Sequence, residues 1–356
     1  MGYDVVLVAR TPVELSAHTF TDVGRINAPN SISFENTLNR DGNAVVSLDP
    51  FKQSDAVKTQ LRTLDTNPCE IAIYKDSSLL FQGPVIVPQV QGRTLVLNAK
   101  GMFYYTKYMI PEVDLTHTLV DQWIIARGLI ESYQDLAYGN YALDVSAVTT
   151  SGVTRTVDYI AADLHVVFDA IIDLAETDNG FDFDIGVHAT DAGTHRVFRL
   201  YASKGSDLSG SVKFDVRPIT DPNVHWSVTA GNIASEARTI GYGEDDSFIT
   251  SNKSNTALRV SFGRCSVGES YYDVSSQGQL DDKAQGLVDE RAVQLFKPGP
   301  SLFAVTNVGI EDFDVGDTVE YSYDVGLGVQ TFDRRVLRKR VRINPKGQEF
   351  MDVEFV

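Results

Sequence analysis

Apolar and polar positions alternate along ISFENTLNRDGNAVVSLDP, residues 32 to 50. Ile32, Phe34 and Leu38 share one face, and Ala44, Val46 and Leu48 share a face of the next run. Between them lies Asn39-Arg40-Asp41-Gly42, so the pattern predicts a β-hairpin whose turn draws left-handed conformations from Gly42 and the Asn and Asp before it. Similar short runs fill the chain from residue 3 to about 111. Cys69, Ile71 and Ile73 alternate before Asp76-Ser77-Ser78, and Val85-Ile86-Val87 and residues 94 to 97 flank Gln91-Gly92-Arg93. Short strands at this spacing predict a barrel or sandwich.

The period then changes. Leu119, Trp123, Ala126, Ile130, Tyr133 and Ala137 fall on a helical stripe, with Thr118 and Asp121 in capping-box spacing. A second stripe runs through Ile160, Leu164, Phe168, Ile171 and Ala175 and stops at Asn179-Gly180. Residues 181 to 188 and 196 to 202 return to strand alternation. A third helix is predicted over Asp281 to Phe296, carried by Ala284, Leu287, Val288, Arg291 and Leu295 and ended by Pro298-Gly299-Pro300. The remainder reads as β, and it repeats the end of the first region: a strand with a tyrosine, a turn, further strands, a glycine hairpin (Gln91-Gly92-Arg93; Lys346-Gly347-Gln348) and a closing alternating strand. The predicted fold is mainly β with α/β inserts: two related β-barrel domains plus a small α/β domain. The expected divisions are 1–111, a first barrel; 112–205, an α/β insert; 206–239, the start of a second barrel; 240–299, an insert with a helix; and 300–356, the rest of that barrel.

Composition narrows the function classes. The 356 residues are 43% hydrophobic, 22% charged and 10% aromatic, as in a folded protein of two or three domains. A net charge of −17 opposes binding to nucleic-acid phosphates. Cys69 and Cys265 are far apart and in no C-x-x-C spacing, so neither a zinc site nor a disulfide framework is signalled. No stretch is long and apolar enough for a signal-peptide core or a membrane span.

The candidate chemistry is sparse. Asp182, Asp184 and His188 project from one face of a strand and could converge on a metal; with Phe181, Phe183, Ile185 and Val187 opposite, they also fit the solvated side of a half-buried strand. His165, Glu176 and Asp178 read as a polar helix face. GLGV at 326 to 329 lies between strands and reads as a turn rather than a dinucleotide fingerprint. No metalloprotease, nucleophile-elbow or phosphate-loop motif occurs. In RRVLRKRVRI, Arg334, Arg338, Arg340 and Arg342 fall on one face and Leu337, Val341 and Ile343 on the other; the strip is either a solvated face or an interface that meets acidic neighbours.

The hairpin LNRDGNAVVSLDP, the segment IAIYKDSSLLFQGPV, the unit IIDLAETDNGFDFDI and the terminal VGDTVEYSY with RRVLRKRVRI together resemble the tail hub proteins of tailed bacteriophages. The chain looks like a minor tail protein of siphophages infecting actinobacteria, similar to contractile-tail baseplate hubs and to the N-terminal structural part of tail-associated lysins. The resemblance covers essentially the whole chain and implies a homotrimer whose two barrels per chain form a pseudo-sixfold ring. That ring would join the tail tube or distal tail ring to the host-recognition tip and close the channel until infection. Implied partners are the distal tail or tail tube protein, the C-terminus of the tape measure protein and other minor tail or central tip proteins; DNA would pass through an acidic lumen without specific binding. The implied location is the virion tail tip, after synthesis in the host cytoplasm. The chain stops at Val356 without the peptidase or lysozyme domain that some relatives carry, so no enzymatic activity and no cofactor are expected. The rival readings are a tail protein that binds cell-surface glycans and a metal-assisted hydrolase built on Asp182, Asp184 and His188.

Overall fold

A computed structural model of the chain describes residues 2–14, 16–64, 68–190, 193–216, 226–229, 233–242, 247–271, 274, 276–292, 295–298, 308–323 and 329–356. The first region holds strands β1 (Tyr3–Thr11), β2 (Thr19–Arg25), β3 (Ser31–Thr37) and β4 (Asn43–Leu48), helix α1 (Asp55–Arg62), then β5 (Cys69–Lys75), β6 (Ser78–Gln91) and β7 (Thr94–Lys100). An insert follows, with β8 (Leu115–Asp121), α2 (Gln122–Gln134), β9 (Leu143–Asp144), β10 (Thr154–Tyr159), α3 (Val167–Ala175), β11 (Asp182–Thr190) and β12 (Gly193–Tyr201). Next come β13 (Lys213–Val216) and β14 (Trp226–Thr229). A second insert holds β15 (Glu236–Tyr242), β16 (Phe248–Ser254), α4 (Thr256–Phe262), β17 (Ser266–Tyr271) and α5 (Gln277–Glu290). The chain returns to the main layer with β18 (Leu295–Pro298), β19 (Thr318–Tyr323), β20 (Gln330–Ile343) and β21 (Glu349–Phe355).

The architecture is mainly β with α/β inserts. Thirteen strands form one hydrogen-bonded network in the order β14-β18-β21-β20-β3-β4-β7-β6-β5-β1-β2, with β19 joined to β20 and β13 to β19. The antiparallel pairing of β3 with β20, Phe34 opposite Val341, connects the two ends of the chain. One hydrophobic cluster accordingly includes Leu7, Phe34, Ile71 and Leu97 together with Phe214, Tyr321, Val341 and Phe355. The first insert buries a separate cluster around Ile125, Leu129, Phe168, Ile171 and Phe198.

The repeat in the sequence is a repeat of topology. β5-β6-β7 and β19-β20-β21 each run antiparallel through one 14-residue strand that changes partner midway. In each, the ladder bulges at the change, between Val85 and Val87 in β6 and between Val336 and Arg338 in β20. A bulge turns the strand so that its two halves serve different neighbours. Gly92 and Gly347 take positive φ, +61° and +76°, in the hairpins that follow.

Several predicted details change. The β3-β4 hairpin is present, but its left-handed residue is Asn39 (φ +56°). Gly42 is needed for a close approach instead: a Cβ there would lie 2.3 Å from the Glu35 carbonyl oxygen. The first helix begins only at Gln122, because residues 115 to 121 pair with β10 and Asp121 caps the helix alone, accepting from the Trp123 N–H at 2.9 Å. Thr118 and Leu119 are therefore strand residues. The second helix covers only Val167–Ala175, since residues 154–159 form β10 and Leu164 adopts a left-handed conformation (φ +55°). The third starts earlier, capped by Ser276, and stops at Glu290; residues 295–298 are a strand because Phe296 pairs with Phe355 of β21. Residues 326 to 328 of the GLGV stretch, together with Gly299 and Pro300, lie outside the described residues.

Candidate functional site

Asp182 and Asp184 stand on β11, opposite Tyr201 and Arg199 of β12. Asp182 is buried, and both its oxygens are engaged. Oδ1 accepts from the Asn39 side-chain amide at 2.9 Å, and Oδ2 accepts from the Lys204 backbone N–H at 2.7 Å and from the Arg335 guanidinium. Asn39 returns a contact by accepting from the Phe183 N–H at 2.9 Å. Arg335 also donates to the carbonyls of Lys204 (2.7 Å) and Gly316 (3.0 Å). Asp182 thus ties the β3-β4 turn, the first insert, the 204 loop and β20 together. Asp184 pairs with the Lys204 ammonium at 2.7 Å; burial works against that charge, but Asp184 and Asp314 outweigh it and raise the lysine pKa. His188 pairs its backbone with His195, and its side chain lies outside the described residues. Among the described residues no group of three or more His, Cys, Asp or Glu is placed to hold a metal ion.

A second ion pair holds the other strand of the same insert hairpin. Glu70 of β5 is completely buried and meets Arg196 of β12, itself 2% exposed, at 2.9 Å. The carboxylate is completed by the Gln82 amide at 2.7 Å and the Tyr105 hydroxyl at 2.6 Å. The Arg196 guanidinium lies over the Phe20 ring, and Arg10 lies over Tyr105 and Tyr141. Burial raises the Tyr105 pKa, which keeps the hydroxyl protonated and donating. Sequence reasoning missed this junction. Its only signal is a carboxylate inside the otherwise apolar strand CEIAIYK.

The basic strip is resolved into different environments by the β20 bulge. Val336 before it and Lys339, Val341 and Ile343 after it are buried, so the alternation changes phase and Arg334 is out of step with the later arginines. Arg334 stacks over Phe332. Arg338 pairs with Glu354 and Arg342 with Asp352, each at 3.0 Å across the β20-β21 ladder. Arg340 is exposed between Asp352 and Glu35 in register. Lys339 points inward and donates to the carbonyls of Phe313 (2.7 Å) and Ile310 (3.2 Å), and burial lowers its pKa.

The inserts together form a groove of about 520 Å³ between β10, α3 and α5. Its walls carry five aspartates against one arginine and one lysine. Two of these aspartates are matched: Asp282 pairs with Arg155 at 2.7 Å and Asp173 with Lys283 at 3.3 Å. On its lip the His165 ring lies 3.8 Å from the Asp163 carboxylate. No nucleophile with a positioned base is assembled from the residues described here.

No protein-family model matches the sequence, and no curated protein matches it either. Solved structures do. A tail protein from Neisseria meningitidis MC58 aligns over all of this chain and 96% of its own, with TM-score 0.56 at 10% identity. The 43 kDa tail protein of prophage MuSo2 from Shewanella oneidensis aligns over 99% of this chain and 97% of its own, with TM-score 0.57 at 10% identity. The fold is that of phage tail proteins. Prophage tail protein gp18 from Listeria monocytogenes EGD-e shares it too, over 98% of this chain and 94% of its own, with TM-score 0.54 at 12% identity. The tail-protein fold therefore spans the whole chain, inserts included, with little identity to hold it. What persists at that level is the arrangement of layers.

Proposed function

We propose that this chain is a structural hub of a phage tail, a homotrimer whose repeated strand triplets build a pseudo-sixfold ring at the tail tip. The observation that carries the reading is the topological repeat of β5-β6-β7 in β19-β20-β21, welded by the β3-β20 ladder. Two similar units per chain let three chains present six similar positions, which suits a sixfold tube above and a threefold tip below. Closed rings of head-to-tail contacts are ordinary oligomer geometry. The end-to-end alignment with tail proteins supports a structural role, and the net charge of −17 suits a lumen that DNA traverses without adhering. In this reading the ring joins the distal tail or tail tube protein to the tip proteins, receives the tape measure C-terminus and closes the channel until infection. The chain acts without catalysis, and the exposed face of Arg338, Arg340 and Arg342, with Arg334 beyond the bulge, is a contact surface of the ring. Light scattering of the purified protein at low and moderate salt tests this. Three copies of the 39.2 kDa chain are expected, and a monomer at every concentration and salt overturns the ring.

A further inference from the structure

Helix α4 is anomalous for a folded protein: none of its residues is buried. Its sequence TALRVSF nevertheless carries large apolar side chains, and Val260 is 84% and Phe262 47% exposed. Beside them three guanidiniums converge on one buried carboxylate. Arg238 reaches Glu236 at 2.8 Å, Arg259 at 2.5 Å and Arg264 at 2.8 Å, which holds the Glu236 carboxyl at a pKa of about 2. Three cations on one anion leave two net positive charges, on a chain whose total is −17. The second insert therefore presents exposed Val260 and Phe262 close in the chain to Arg259 and Arg264 of this cationic cluster.

The groove between α3 and α5 has the opposite character. Its floor includes Val157, Val166 and Leu174, Leu164 stands 66% exposed at its mouth, and Asp158, Asp163 and Asp169 are exposed around it. Among the described residues, Val260 and Phe262 of the α4 knob and Asp158, Asp163 and Asp169 of the groove stay exposed. Exposed apolar groups rimmed by charge mark contact sites, and opposite charge on two such sites selects the pairing and its register.

We infer that the α4 knob of one copy seats in the α3-α5 groove of the next, a head-to-tail contact between copies of this chain. Knob and groove are different surfaces of one chain, so the contact is heterologous and propagates around a ring. This inference rests on the trimeric reading and names the surfaces that hold it together.

The test is sedimentation velocity of the full chain over a range of concentration and salt. Val260→Asp alters a side chain with no core role; it is expected to weaken self-association about tenfold or more, as loss of a central apolar anchor does. Reversing the rim with Asp163→Arg and Asp169→Arg is expected to weaken it similarly and to invert its salt dependence. Val260, Asp163 and Asp169 are all exposed, so the urea unfolding midpoints of both variants are expected to match that of the wild-type chain, which separates a lost contact from a folding defect. If the wild-type chain is trimeric and Val260→Asp and the reversed rim leave it so, the contact is overturned while the ring stands. A reversed-rim chain that associates with the same salt dependence as the wild-type chain overturns the charge pairing. A monomeric wild-type chain overturns both readings.

Discussion

The two strand triplets follow the same path but hold the first insert by ion pairs of opposite polarity. From β5 comes an acid, Glu70, to a base on β12, Arg196; from β20 comes a base, Arg335, to an acid on β11, Asp182. The insert hairpin is clamped on both strands. The first clamp is fully desolvated, with Gln82 and Tyr105 completing the Glu70 carboxylate and the Arg196 Nε left without a hydrogen-bond partner, whereas Arg335 remains partly solvated. The triplets also differ beyond their bulges. The second half of β20 has β21 on one side and β3 on the other, so every second residue is buried. Among the described residues the second half of β6 pairs with β7 alone and leaves Val87 and Val90 exposed, which is why Pro88 is tolerated there: it has no N–H to give to a ladder. One strand path yields a central strand or an edge depending on whether a partner arrives from elsewhere in the chain.

Breaking the clamps should expose that contrast. Glu70→Ala strands the Arg196 charge in the interior, and a loss of about 3–5 kcal/mol is expected in urea unfolding. Arg335→Ala leaves Asp182 two other donors, the Asn39 amide and the Lys204 N–H; about 2–3 kcal/mol is expected by the same measurement. Equal losses would mean that burial does not distinguish the clamps. A smaller, pH-dependent effect is expected at the first junction. Burial lowers the His18 pKa, with Arg10 and Arg196 nearby acting in the same direction against a hydrogen bond to the Tyr138 carbonyl. The unfolded chain then binds more protons than the folded one below the ordinary histidine value of about 6.5. Stability is complete above that pH and declines below it until the folded-state pKa is passed; His18→Gln should flatten that part of the unfolding profile. At the hairpins, Gly92→Ala and Gly347→Ala each force alanine into positive φ in open space, and each should cost about 1 kcal/mol. Similar values sharpen the equivalence of the triplets, and a gap of more than about 1 kcal/mol would break it. The smallest change is expected at Arg340→Ala, within about 0.5 kcal/mol, as for an exposed surface charge.

Local pattern alone determined which segments of this chain extend, that two stretches carry a repeated layout, and that helices bury Ile130, Phe168 and Leu287. These follow from side-chain period and turn residues, which neighbours along the chain decide. Glu70 and Asp182 look alike in sequence, each a carboxylate in an apolar strand, and nothing local says that one meets Arg196 and the other Arg335. The lysine in the basic strip has the same character as its arginine neighbours until the bulge at Leu337 turns it inward onto the carbonyls of Ile310 and Phe313. Helix ends moved where pairing intervened, as when β10 claimed residues 115 to 121 for a strand. The groove and the knob arise from two inserts about a hundred residues apart. Contacts at that separation depend on which strands pair, and that choice is made by the packing of the whole molecule.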